Sequence, residues 1–227
     1  MSLALPIFAL VPVKETATAK QRLASVLDAT LRQELALAML EDVLETLAAA
    51  PSLSGIMVIT VDRAVTRLAE NYGAIVSTEG ARDGHTGAVT HGAAMLAARG
   101  HAMLTLPGDV PLVRPADIEN LIAAHRTGSG FTIVPARDEC GSNAVLCSPA
   151  NAVPLRFGEN SYFPHLAAAR ACGIEPVSAS LPRLALDIDQ PDDLIELLHA
   201  PASTRAHALL ARHGISARLP QGARTHA

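Results

Sequence analysis

Apolar positions recur along the chain in two alternating rhythms. Continuous apolar runs of strand length stand at residues 7–13 (IFALVPV), 55–60 (GIMVIT), 74–77 and 102–106, as expected of strands buried on both faces of a parallel sheet. Between them the period lengthens to that of a helix. From Asp28, a good N-cap, Leu31, Leu35, Ala38, Met39, Leu44 and Leu47 recur at helical spacing. Asp62 is placed to cap a second helix that Gly73 ends, and residues 87–99 carry a third, closed by Gly100. The alternation predicts an α/β fold, a doubly wound and mostly parallel sheet that binds its ligand in the crevice outside the C-terminal ends of the strands.

The second half is less regular. A helix is expected over residues 117–125 with Pro115 near its first turn, then a strand at 131–135. Residues 136–157 hold a charged loop (ARDECGSN), a short apolar run at 144–147 and a proline-rich connection, with no helix between them. That pattern predicts a small antiparallel insertion beside the main sheet. Ser161 is placed to cap a helix running to Cys172, short strands are expected at 176–179 and 184–186, and Gln190-Pro191-Asp192-Asp193 opens a last helix. After Pro201, Ala, Arg and His dominate. We expect one domain over residues 1–200 and an accessory tail over 201–227, with a helix at 206–212 and a disordered end.

Composition narrows the function classes. The 227 residues are 49% hydrophobic but only 3% aromatic, without tryptophan, so the core is aliphatic and base stacking is not the main activity. A net charge of −4 argues against a surface for nucleic acid. Cys140, Cys147 and Cys172 are odd in number and lack CxxC spacing, which signals neither a disulfide framework nor a zinc site. No apolar run has the length of a membrane span, and the N-terminus lacks a basic region, so a soluble, cytoplasmic protein is expected.

Chemistry concentrates in three places. The run LTLPGDVPL (104–112) reads as a strand that stops at Pro107-Gly108 and presents Asp109 beyond its end; the alternative is an aspartate in an ordinary Gly-Pro turn. The only two lysines, Lys14 and Lys20, fall in the loop after the first strand with Arg22 beside them, where compact ammonium groups can hold phosphates, although a solvated loop would read the same way. Neither GxxxxGK[ST] nor GxGxxG is present, which disfavours the two nucleotide folds that use them. Asp187 and Asp189 lie past another expected strand and could converge with Asp109 on magnesium, an ion that takes one or two carboxylates plus substrate phosphates. Only one of the two is expected to face the site, and Asp189 reads equally well as the N-cap of the last helix. These elements together suggest nucleotidyl transfer, in which an attacking phosphate displaces pyrophosphate from a nucleoside triphosphate. A phosphomonoester is already a dianion at neutral pH, so no base is needed and His85, His91 and His165 are read as surface or satisfied side chains.

In order along the chain, VPVK-x5-AK-x-RL (11–23), LPGDVPL (106–112), GSNAVL (141–146), RFGENS (156–161) with His165, and LDIDQPDDL (186–194) resemble the 2-phospho-L-lactate guanylyltransferase family. These are the CofC-like enzymes of deazaflavin coenzyme F420 biosynthesis, including relatives that use phosphoenolpyruvate or 3-phosphoglycerate. The resemblance runs from Pro6 to about Leu198. It implies a Rossmann-like nucleotidyltransferase fold, GTP as donor, Mg2+ as cofactor and a phosphorylated three-carbon acid as acceptor. It also admits a homodimer. By the same resemblance, Lys14, Lys20 and Asp109 are catalytic; Pro12, Val13, Lys14, Lys20, Arg22, Gly84, Pro107 and Gly108 bind the nucleotide; Asn143, Gly158 and Ser161 bind the acceptor; and Asp109 with Asp187 or Asp189 binds metal. The chain departs from the family at Asp83-Gly84-His85-Thr86-Gly87, where a Gly-Leu-Asn sequence is expected to face the nucleotide. The rivals are a cytidylyl- or molybdopterin-type nucleotidyltransferase, whose first loop is glycine-rich as this one is not, and a module that binds GTP without turnover.

Overall fold

The structure is a computed structural model that describes residues 5–126, 128–158, 160–201 and 204–219. Its centre is β1 (Ile7–Pro12), flanked in parallel by β2 (Leu53–Ile59) and β4 (Ala102–Thr105), with β3 (Ile75–Ser77) parallel to β2. On the other side, β6 (Ser142–Ser148) lies antiparallel between β4 and β5 (Gly130–Pro135), and β7 (Val177–Ser178) closes the edge parallel to β5. The strand order β3-β2-β1-β4-β6-β5-β7 is that of a doubly wound sheet with one reversed strand. The antiparallel piece is therefore not beside the sheet, as its sequence suggested, but inside it. Its apolar residues pack against both neighbours, Leu146 opposite Leu104 and Thr132, so burial rather than an edge position accounts for the apolar run.

Alternate residues of β1 serve two layers. Ala9 and Val11 pack with the C-terminal half of α1 (Ala29–Ala48), with α2 (Arg63–Asn71) and with α4 (Pro115–Ala124), whereas Leu10 faces α3 (Gly84–Ala97). A Cβ on Gly92 would stand 2.6 Å from Leu10 Cδ1, so this glycine lets α3 approach β1 closely. On the α3 side, α5 (Tyr162–Ala171) covers Phe131, Ile133, Val145 and Cys147. Asp28 caps α1 by accepting from Leu31 N at 2.9 Å, as expected, and Asp62 caps α2. The fourth helix starts two residues before the expected 117, because Pro115 sets the φ of its first residue and Asp117 accepts from Arg114 N at 2.9 Å.

Residues 184–186 do not form a strand. Pro182 starts a single helical turn, α6 (Pro182–Ala185), in which Leu181 O accepts from Leu184 N and Ala185 N, and Leu184 is buried by the turn instead. The last predicted helix is α7 (Pro191–His199). Its N-cap is Gln190, not Asp189: Asp193 reaches back to accept from Asp189 N at 3.0 Å and Gln190 N at 2.7 Å. The helix expected after Pro201 is α8 (Arg205–Arg212), and its Leu209 and Leu210 join Leu194 and Leu197 of α7 around Leu31, Leu35 and Met39 of α1. A 3-10 turn at Ile215–Ala217 follows, with Ile215 buried; the expected disordered end falls on residues 220–227, outside the described residues. Among the described residues no helix is long and apolar enough to cross a membrane.

Candidate active site

The C-terminal ends of β1 and β4 and the N-terminal end of the reversed β6 open on one side of the sheet. There they border a cavity of about 900 Å³, with a hollow of about 380 Å³ adjoining it. Lys14, Pro107 and Asp109 line both, as do His85 and Asp189. The smaller hollow also takes in Pro12, Val13, Lys20 and Gly108, and the larger takes in Arg22, Gly84, Asn143, Gly158, Ser161 and Asp187. All fourteen residues singled out in the sequence thus border one connected space.

The loop after β1 is folded into two 3-10 turns, Thr16–Thr18 and Gln21–Leu23. Thr16 pins it to the neck of α2, giving Asp62 Oδ2 two hydrogen bonds, from its N–H at 2.8 Å and its hydroxyl at 2.6 Å. Between the turns Lys20 takes a left-handed conformation, φ 55 and ψ 41, uncommon for a residue with a Cβ. The result drives its side chain inward, to 8% exposure, with Nζ 2.5 Å from Asp109 Oδ2 and 3.4 Å from Asp189 Oδ1. Burial alone would push this ammonium down, but Asp109, Asp189 and Asp187 outweigh it and hold its pKa above the ordinary lysine value. Arg22 Nη1 donates to the other oxygen of Asp189 at 2.7 Å, so both Asp189 oxygens are engaged by cations.

Asp109 and Asp187 are differently placed. Asp109 Oδ1 is buried and has no hydrogen-bond partner among the described residues. Asp187 accepts from Asn143 Nδ2 at 3.0 Å through one oxygen, and burial followed by the nearby charge of Asp109 raises its pKa. Two carboxylates, one with an orphaned oxygen and one resisting ionisation, make a pair that a divalent cation would satisfy. Among the described residues no three histidine, cysteine or carboxylate groups are gathered so as to hold a metal unaided. Both Asp187 and Asp189 line the cavity, contrary to the expectation that only one would. The residue between them, Ile188, is fully buried among the leucines of α7 and α8 and donates its N–H to Asp109 O at 3.0 Å, so the backbone turns its two acidic neighbours the other way.

At the first turn of α3, which begins at Gly84 rather than at residue 87, Thr86 and His85 part company. The Thr86 hydroxyl accepts from Phe157 N at 3.0 Å and donates to Phe157 O at 3.3 Å, tying the 157 segment to α3. His85 faces the cavity and meets Phe157 edge-on at 4.6 Å. Burial, opposed by Asp109 and aided by Lys14, lowers its pKa to about 4. Gly158 opens on the cavity with φ 148, a conformation that favours glycine. Ser161 precedes α5 but does not cap it: its hydroxyl donates to Ser142 Oγ at 3.2 Å. Sequence reasoning passed over Ser142, which lines the cavity next to Asn143 and whose place in the GSNAVL run was the available signal; His165 is the satisfied side chain that was expected, with both ring nitrogens bonded.

Residues 7–227 match the family model of CofC-like guanylyl transferases. The chain belongs to that family. The match runs through α8 and past it, beyond the motif resemblance that stops near Leu198. A phosphoenolpyruvate guanylyltransferase of Conexibacter woesei is 38% identical over 88% of this chain and 91% of its own length. One from Roseiflexus castenholzii is 39% identical over 89% and 93%. A 3-phospho-D-glycerate guanylyltransferase of Colwellia psychrerythraea is 32% identical over 88% and 95%. Among solved structures, a protein of Desulfovibrio desulfuricans G20 described as a nucleotide-diphospho-sugar transferase superposes with a TM-score of 0.75 at 18% identity, covering 93% of this chain and 96% of that one. A 4-diphosphocytidyl-2C-methyl-D-erythritol synthase shares the fold at a TM-score of 0.58 and 13% identity, covering 85% of this chain and 97% of that one. The CofC-like chain is thus a nucleotidyltransferase by family and by fold.

Proposed function

We propose that this enzyme transfers GMP from GTP to the phosphate of a phosphorylated three-carbon acid and releases pyrophosphate, as a step of deazaflavin coenzyme F420 biosynthesis. Phosphoenolpyruvate and 3-phospho-D-glycerate are the favoured acceptors, since the relatives named above carry those names, and 2-phospho-L-lactate is the third. The observation that carries the reading is the charge array at the strand ends: Lys20 and Arg22 braced against Asp189, beside the unpartnered Asp109 Oδ1 and the half-buried Asp187.

In this reading Lys14, Lys20 and Arg22 hold the triphosphate of GTP in the crevice, near Pro12, Val13, Gly84, Pro107 and Gly108. Asp109 and Asp187 would hold Mg2+, which would supply positive charge to the phosphates as a Lewis acid. Asp189 acts on the cations rather than on the metal. Asn143, Gly158 and Ser161 frame the acceptor on the far side of the same cavity. An oxygen of the acceptor phosphate attacks the α-phosphorus of GTP, the bond to the β-phosphate oxygen breaks, and pyrophosphate departs with its electron pair. Lys20 offsets the charge gathering on the leaving group. No proton has to move, so the low basicity of His85 is no obstacle.

The test is pyrophosphate release with GTP, magnesium and each of the three acids in turn. Release is expected with at least one acid and none without it. An absence of release with every acid and every nucleoside triphosphate overturns the reading. Asp109→Asn is expected to abolish turnover while shifting the melting temperature by no more than a few degrees; a collapse of folding would return Asp109 to the role of a turn residue.

A further inference from the structure

The reaction proposed above leaves one buried group without a task. His165, in the first turn of α5, is 1% exposed and uses both ring nitrogens. Arg156 N donates to Nε2 at 2.9 Å, and Nδ1 lies 2.9 Å from Ser142 Oγ. A backbone N–H can only donate, so Nε2 is an acceptor and the neutral imidazole carries its proton on Nδ1. Nδ1–H therefore donates to Ser142 Oγ. Ser161 Oγ donates to the same oxygen at 3.2 Å. Both lone pairs of Ser142 are then engaged, and its own hydrogen can turn toward neither neighbour. Among the described residues nothing accepts it, and Ser142 lines the cavity between Gly141 and Asn143.

We propose that His165 is a positioning residue that holds the Ser142 hydroxyl as a hydrogen-bond donor aimed into the acceptor half of the cavity, at an oxyanion of the phosphorylated acid. This rests on the guanylyl-transfer reading for the identity of the acceptor. With the opposite tautomer, Ser142 would donate to His165 and turn a lone pair on an incoming anion. The surroundings guard against that. Phe157 packs edge-on to the His165 ring at 5.0 Å and keeps water from it, and burial lowers the ring's pKa to about 4, so it stays neutral where the enzyme works. The same bonds explain why Ser161 fails to cap α5: its hydroxyl is the second donor that Ser142 needs.

Two variants separate this role from a packing role. His165→Asn puts an amide nitrogen near the position of Nδ1, keeping the donor to Ser142 while leaving Arg156 N unpaired. His165→Gln reaches the position of Nε2, keeping the bond from Arg156 N while abandoning Ser142. His165→Gln is expected to raise KM for the acceptor acid about tenfold, the loss of one hydrogen bond to an anion, with KM for GTP and the melting temperature near those of the parent. His165→Asn is expected to keep the acceptor KM within about twofold and to lose stability instead. In the full-length parent enzyme, 15N NMR of histidine should show the His165 proton on Nδ1. A reversed order of the two variants, equal effects of both on the acceptor KM, or a proton on Nε2 overturns the role of His165. An inactive parent enzyme instead overturns guanylyl transfer itself, and with it the acceptor.

Discussion

Asp187 resists the charge that the proposed metal site requires of it. Burial and the carboxylate of Asp109 disfavour its ionised form, and the Asn143 amide, its own backbone N–H and Lys20 favour it without prevailing. An acid whose folded pKa is raised weakens the fold once it ionises, so its charge is a strain on the metal-free protein at neutral pH. Asp187→Asn is therefore expected to raise the melting temperature by roughly 1 to 3 °C while abolishing turnover, read by calorimetry and pyrophosphate release. A fall in melting temperature would place Asp187 among the stabilising ion pairs instead. The same shift gives metal binding a pH dependence. A divalent ion needs the carboxylate ionised, so affinity for Mn2+, followed by titration calorimetry, is expected to decline on acidification at a higher pH than an ordinary carboxylate would give. The Asp-Ile-Asp run showed in sequence that acids stood here. It could not show that Ile188, by burying itself among α7 and α8, would turn both acids to the cavity, because that depends on a core assembled from residues far along the chain.

At the scale of elements, α8 is fastened to α1 by hydrogen bonds to a buried carboxyl as well as by leucines. Asp42, 6% exposed, accepts from Arg205 N at 2.8 Å and Ala206 N at 3.0 Å and so satisfies the free N–H groups at the start of α8. The Arg205 side chain pairs with Glu41 at 3.2 Å and Glu45 at 2.5 Å on the same helix. Asp42→Ala is expected to cost about 1 to 3 kcal/mol by denaturant unfolding and to speed amide exchange over α8 ahead of the sheet. Exchange that quickens equally everywhere would refute a local role for the cap. Since α8 and α7 together enclose Ile188, loosening α8 also loosens the acidic segment next to it. Sequence pattern showed the helix but not its docking, for Ala206 and Leu210 become core positions only once α1 is beside them.

For the whole molecule, three histidines, His165 buried and His85 and His125 half-buried, shape the response to acid. His85, His125 and His165 each fall from the ordinary value of 6.5 to about 4, with burial the chief cause in every case. The unfolded chain takes up these protons near pH 6.5 and the folded one near pH 4, so their contribution to stability is whole above pH 6.5 and is lost as pH falls toward 4. Each contributes about 1.4 kcal/mol per pH unit inside that window. His125→Gln is expected to lessen the slope of stability against pH there by about one proton, measured by urea unfolding at fixed salt; an unchanged slope would mean that His125 titrates normally. The doubly wound half of the fold was legible because β1, β2 and β4 carry unbroken apolar runs (residues 7–12, 56–59 and 102–104), as strands covered on both faces need. Direction was not: the apolar run of β6 reads the same forwards and backwards, and so the reversed strand could not be told from an appendage. The strand-end lysines and Asp109 were legible for the same reason that the parallel strands were, since the ends of those strands fix where their loops go.

That reversal separates two design problems. Along β1 and β4 the chain arrives at the ligand after building the sheet, so changing their loops disturbs the helices that follow. Along β6 it arrives before, at the close of the hairpin that joins Pro135 to Ser142, where the loop is tied to helices from later in the chain: Cys140 O accepts from Tyr162 N of α5 at 2.9 Å, and Arg137 pairs with Asp193 of α7 at 2.6 Å. Only the tip at Asp138-Glu139 is free of such ties, because Arg137 reaches Asp193, and Asp193 in turn holds the Asp189 backbone against which Lys20 and Arg22 are braced. In the guanylyl-transfer reading, the wall that meets the acid and the loop that meets the nucleotide are therefore joined through α7, and a change of acid made at the tip has to keep Arg137 and Cys140 in place.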